Sequence, residues 1–167
     1  MTERSNPKIA EEKRNVMTEE GMRKLQEQLD YLIGTRRNEI AEKIDIARGF
    51  GDLSENAEYD EAKKEQGRLE EEIQRLLNIQ RTAIVLSDAE ISTEQVSVGT
   101  TVKVLNVAAN LECEYAIVGS EEADPWHGKI SSESPVGAAL LGAHVGESVT
   151  VELPVGTSEF KVLEIRR

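Results

Sequence analysis

Gly51-Asp52-Leu53-Ser54-Glu55-Asn56-Ala57-Glu58-Tyr59 lies between two long stretches of helical periodicity, and its reading decides the fold. Upstream, Thr18 is an N-cap followed by Glu19 and Glu20, acids that the helix dipole favours in a first turn. Met22, Leu25, Leu29, Leu32 with Ile33, Ile40, Ile44 and Ala47 then recur at helical spacings. The stripe is interrupted around Arg36 and Arg37, which need not break it. Gly49 and Gly51 end it, so a helix is predicted from Thr18 to Arg48, about 46 Å long at about 1.5 Å per residue. Downstream, Ala62, Gln66, Leu69, Ile73, Leu76, Gln80 and Ala83 alternate spacings as a heptad does. The connection is short, so the two helices must run antiparallel as neighbours. The expected result is a protruding two-helix coiled-coil hairpin over residues 17–86, with its tip near residues 48–59. Both stripes are narrow and leave no apolar face for a third layer.

After Leu86 the pattern changes. Ser87 to Ser97 is polar and reads as a linker over residues 87–97. From Val98 the apolar period falls to two, in Val102/Val104, Tyr115/Ile117, Val149/Val151 and Phe160/Val162, with glycines and Asn110 between the runs. Pro135 and Gly142 frame one short helix. Residues 98–167 are therefore expected to form a small β-rich domain, about 70 residues, near the lower limit for folding alone. Residues 1–16 are polar and charge-mixed and read as a disordered arm. The fold class is α+β.

The net charge of −12 argues against nucleic-acid binding through a general electrostatic field, because phosphates repel it. Ser87 to Arg167 carries 5 Lys/Arg against 13 Asp/Glu, so this part is the more acidic. One cysteine, Cys113, excludes an internal disulfide, and two scattered histidines, His127 and His144, form no zinc cluster. No apolar run is long enough for a membrane span and no signal sequence is evident, so a soluble cytoplasmic protein is expected.

Two readings compete at the tip. Asp52 with Glu55 three residues later is a capping box that could start the second helix. The same two carboxylates, one helical turn apart, can share an Mg²⁺ that keeps several waters, but they are only half a site. Phe50, between two glycines, either folds back over the hairpin end or contacts a partner. Arg48, Lys63 and Lys64 form a small basic patch, or pair with nearby acids along their own helices. Trp126 is either a docking residue or, the commoner case, a cap on a small core.

The chain resembles the bacterial Gre transcript-cleavage factors, a family of transcription elongation factors. The resemblance runs from Met17-Thr18-Glu19-Glu20-Gly21 through Arg36-Arg37 and the Gly51–Tyr59 segment. It continues in Tyr115-x-Ile117-Val118-Gly119, Glu122-Ala123-Asp124, Ile130-Ser131-x-x-Ser134-Pro135 and Gly137-x-Ala139-Leu140-Leu141-Gly142. It implies an FKBP-like fold for the C-terminal domain, which docks at the mouth of the secondary channel of RNA polymerase while the coiled coil enters the channel. It further implies that Asp52 and Glu55 help hold an Mg²⁺ shared with the polymerase active site and position a water. The polymerase then cleaves its own backtracked transcript, and the chain is an activator with no nuclease activity of its own. Arg48 and Lys63 fall where the family keeps basic residues near the nascent RNA 3′ segment. The resemblance shifts the reading of Asp52 and Glu55 from cap to metal. Asn38 stands where many members have proline, and the arm before Met17 is longer than usual. Two alternatives share parts of this architecture. One is a Gre-fold polymerase inhibitor, against which the intact Asp52/Glu55 pair argues. The other is an FKBP-like prolyl isomerase, for which Tyr115, Trp126 and Phe160 offer few pocket aromatics.

Overall fold

The two apolar stripes flanking Gly51 fold as antiparallel helices in the computed structural model, which describes residues 15–51 and 56–167. The described chain divides into two compact units, residues 23–82 and residues 15–22 with 83–167.

The helical unit contains most of α1 (Glu19–Tyr31), then α2 (Arg37–Arg48) and α3 (Ala57–Thr82). Leu25, Leu29, Ile40, Ile44 and Ala47 are buried on one side, and Ala62, Leu69, Ile73, Leu76 and Ile79 on the other. Antiparallel pairing shows in the polar contacts, which run from Gln26 with Gln80 through Arg37 with Glu70 and Arg36 with Glu65 to Ala47 with Asn56. Two details differ from the sequence reading. The stripe residue near the end of α3 is Ile79; Gln80 is only half-buried beside it, and Ala83 lies past the helix end. The first helix is also not α-helical throughout.

Leu32–Arg36 is a π-helical turn between α1 and α2, with the Arg37 amide donating to the Leu32 carbonyl. Leu32 and Ile33, expected in the stripe, are not buried here: Leu32 is half-buried and Ile33 exposed, and charged contacts take over. Arg36 donates to Glu39 and Glu65, each at 2.5 Å. The Arg37 fork donates to both oxygens of Glu70, at 2.7 Å each. Asn38 Nδ2 donates to the Gly34 carbonyl within the turn, at 2.9 Å. A proline at 38 could not satisfy that carbonyl.

The second unit holds a five-stranded sheet ordered β5-β4-β3-β7-β6, made of β3 (Thr101–Asn106), β4 (Leu111–Val118), β5 (Lys129–Ser131), β6 (Ser148–Leu153) and β7 (Gly156–Arg166). β4 and β5 are parallel, and the other neighbours are antiparallel. α4 (Pro135–Leu140) is capped by Ser134, whose Oγ accepts from the Gly137 amide at 3.1 Å. Val102, Val104, Ile117, Leu140, Val151, Phe160 and Val162 form the core.

Three short strands go beyond the periodicity. β5 is one, and β1 (Val16–Thr18) pairs in parallel with β2 (Ile84–Leu86) as a separate ribbon. Val16 thus belongs to the fold rather than to the arm, while residues 1–14 lie outside the described residues. Residues 87–97, expected as a linker, bury Ile91 and Val96. The Val96 amide donates to Ala143 O at 2.9 Å and its carbonyl accepts from Gly142 at 2.8 Å. Two anchors in eleven residues show no period, so polarity alone misled the reading. Among the described residues no helix is long and apolar enough to cross a membrane.

Candidate functional site at the hairpin tip

α2 closes on its own backbone. The Gly49 amide donates to the Asp45 and Ile46 carbonyls, Phe50 to Ala47 at 3.2 Å, and Gly51 to Arg48 at 3.3 Å. Gly51 has φ +99°, a left-handed conformation that favours glycine. On the other side, α3 starts at Ala57 with Asn56 as its cap. Asn56 Oδ1 accepts from the Tyr59 amide at 3.0 Å, and Nδ2 donates to Ala47 O at 2.5 Å. One side chain thus satisfies a donor at the start of α3 and a carbonyl near the end of α2.

The cap of α3 is Asn56, a residue the local reading of the tip does not consider. Asp52, Leu53, Ser54 and Glu55 lie outside the described residues. The pinned positions on either side of them are Gly51 and Asn56. Both acids therefore belong to a four-residue segment whose ends are held.

The other expected site residues fall around that segment. Phe50 is 67% exposed and joins no core. Arg48 reaches Asp45 at only 3.6 Å, with both side chains exposed. Lys63 Nζ donates along its own helix to Gln66 Oε1 at 2.7 Å. Beside them, α2 and α3 leave a shallow depression of about 320 Å³ lined by Ile46, Ala47 and Ala62 with Lys43, Glu58, Glu61 and Glu65. Hydrogen bonds first from Lys43 and then from Arg36 hold the Glu65 carboxyl below the usual range. Among the described residues no three His, Cys, Asp or Glu side chains converge as metal ligands.

The C-terminal aromatics are dispersed. Phe160 is in the core, Tyr115 is half-buried and Trp126 is 95% exposed, so Trp126 caps no core.

Comparison with known proteins agrees with this architecture on both sides of the tip. Residues 15–85 match the model of the transcription elongation factor N-terminal domain, and residues 91–167 match that of the GreA/GreB C-terminal domain. The class is thus a transcription elongation factor. The transcription elongation factor GreA of Clostridium perfringens is 53% identical over 156 residues, covering 93% of this chain and 99% of the relative. That of Clostridioides difficile is 52% identical over 159 residues, covering 95% of this chain and 100% of the relative. Among solved structures, the GreA factor homolog 1 (Gfh1) protein of Thermus thermophilus is 27% identical, with a TM-score of 0.42 over 91% of this chain and 98% of that one. The chain belongs to the GreA/GreB family of transcription elongation factors.

Proposed function

We propose that the chain enters the secondary channel of bacterial RNA polymerase tip first and stimulates the polymerase's own cleavage of backtracked nascent RNA. The observation that supports this most is the clamped tip. Gly51 and Asn56 are both hydrogen-bonded back to the C-terminal end of α2, through Arg48 and Ala47, so the residues flanking the segment that carries Asp52 and Glu55 are held.

The donor chemistry fits Mg²⁺, which takes hard carboxylate oxygens and keeps its remaining positions for water and phosphate. Two carboxylates are half a set, and in this reading the polymerase provides the rest. A bound Mg²⁺ supplies charge stabilisation at the phosphate and a more acidic water. Asp52 is the metal-directed acid, and Glu55 orients the ion or the attacking water. Arg48, loosely held by Asp45, is free to turn toward the phosphates of the RNA 3′ segment, and Lys63 would exchange Gln66 for the same role. Phe50 makes an apolar contact at the leading end.

The chain is then an activator rather than a nuclease. The test is a backtracked elongation complex with labelled RNA, incubated with Mg²⁺ and with or without the chain. Shortening of the RNA at its 3′ end should accelerate only when both polymerase and chain are present. Hydrolysis of RNA by the chain alone would contradict the half-site argument.

A further inference from the structure

Toward the tip the hairpin seam becomes thin. Ala47 and Ala62 are buried at seam positions that elsewhere carry leucine or isoleucine, as at Leu29, Ile73 and Leu76. Two small side chains fill less of the space between the helices, and the surface sinks beside them into the depression of about 320 Å³. Ile46 lines the same depression and is 64% exposed. A single exposed isoleucine is ordinary on any protein surface. This one extends a concave apolar floor.

Carboxylates rim that floor. Glu58, Glu61 and Glu65 stand three and four residues apart on one face of α3, and all three line the depression. They differ in what already satisfies them. Lys43 Nζ donates to both oxygens of Glu65, at 3.1 and 2.8 Å, and Arg36 donates to the same carboxylate. Arg68 approaches Glu61 only to 3.7 Å, with both side chains exposed. Glu58 is exposed and makes no ion pair among the described residues. At about 100° per residue, Lys63 lies about 140–160° around α3 from these acids, so RNA following Lys63 would run along another face.

An apolar floor edged by carboxylates fits a side chain with an apolar stem and a cationic head. Arginine has both: its methylenes cover apolar surface, while its planar guanidinium gives paired hydrogen bonds to carboxylate oxygens. The same acids repel RNA, and they repel a second copy of a chain of net charge −12. A polymerase gathers nucleotides and RNA, both polyanions, around its active centre, and walls that admit them carry cationic side chains. We propose that the depression formed by Ile46, Ala47 and Ala62 seats an arginine of the polymerase channel wall, with its guanidinium on Glu58 and Glu61. The inference rests on the polymerase reading above and adds to it the face of the hairpin that meets protein rather than RNA.

The full chain carrying Ile46→p-benzoylphenylalanine, irradiated in a backtracked elongation complex, should cross-link to a polymerase subunit at a peptide that contains arginine. Cross-linking to RNA or to a second copy of the chain, or no cross-link at all, overturns the seat. Glu58→Gln with Glu61→Gln should raise Kd for polymerase about five- to tenfold and reduce its dependence on salt, because charge-assisted contacts are lost. Ile46→Ser should raise Kd about threefold and leave the salt dependence unchanged, because only apolar burial is lost. At saturating concentration each variant should stimulate cleavage to within about twofold of the parent, since the seat binds ground state and transition state alike. Parent-like melting shows that the variants fold, and if Ile46→Ser melts lower, the exposed glutamates decide alone. Parent-like affinity and salt dependence of the double glutamine variant overturn the seat, while stimulation by the parent chain keeps the polymerase reading intact. Failure of the parent chain to bind polymerase overturns that reading and the inference with it.

Discussion

Glu122 closes the start of α1 through Thr18, a residue 104 positions away. Thr18 Oγ1 donates to Glu122 Oε1 at 2.5 Å, and the Thr18 amide donates to Oε2 at 3.1 Å. Thr18 Oγ1 in turn accepts from the Gly21 amide at 3.0 Å, which is the N-cap contact. The carboxylate lies so close to the helix that a Cβ on Gly21 would stand 2.1 Å from Glu122 Cδ. Gly21→Ala should therefore push the carboxylate aside. The loss, about 1.5–3 kcal/mol for hydrogen bonds to a charged group, is offset by alanine's helix preference of about 1 kcal/mol. In a Glu122→Ala background the clash is gone, and Gly21→Ala should be stabilising by up to about 1 kcal/mol. Urea unfolding of the two single variants and the double variant measures the coupling. Equal effects of Gly21→Ala in both backgrounds would show that the contact does not operate.

Asn56→Ala should cost about 1–2 kcal/mol, the upper range for a lost N-cap, because it also removes the bond across the hairpin to the Ala47 carbonyl, which keeps only the Phe50 amide. If the clamped ends matter, cleavage stimulation should fall with it even at temperatures where the helices remain folded. Asn56→Asp keeps the acceptor for Tyr59 and lacks the donor to Ala47, so it should retain the cap and lose the clamp. Circular dichroism and the cleavage assay on the same samples separate the two effects.

Asp52→Ala and Glu55→Ala should each abolish most of the stimulated cleavage while leaving polymerase affinity within about threefold, since interactions made at the reacting centre affect rate more than binding. α3 is capped by Asn56, so neither change should lower the melting temperature appreciably. Cleavage at the parent rate by the Asp52 variant would end the metal assignment.

The cross-hairpin ion pairs predict a pH dependence. The Arg37 fork holds Glu70 below the usual carboxylate range, and Lys43 with Arg36 does the same to Glu65. A carboxylate with a depressed folded pKa stabilises fully above its unfolded value, about 4.3 for glutamate. That stability is lost as pH falls through the lower folded value. The hairpin should therefore melt at a lower temperature as the solution is acidified below about pH 4. Glu65→Gln with Glu70→Gln should lower the melting temperature at neutral pH and flatten its pH dependence. A parallel acid profile for parent and double variant would remove these pairs as its source.

Much of the architecture was legible because it depends on period. The apolar spacing from Leu25 to Ala47 and from Ala62 to Leu76 specified two helices, and the short Gly51–Asn56 connection made them antiparallel. Alternation in Val102/Val104 and Phe160/Val162 likewise marked strands whose inward faces form the core. Features built from contacts between distant segments were not legible. β1 and β2 are three residues each, too short to show a period, and exist because they pair with each other. Ile91 and Val96 look isolated in a polar run until the fold brings Ala143 and Gly142 beside it. That Asn56 caps α3 while also reaching the Ala47 carbonyl across the hairpin depends on a contact between two elements that local sequence does not display. Trp126 could have capped a core, but the Asp124–Lys129 closure turns it outward. Local pattern encodes which face of an element is apolar, whereas the partner of a lone polar or aromatic side chain depends on chain closure over long separations.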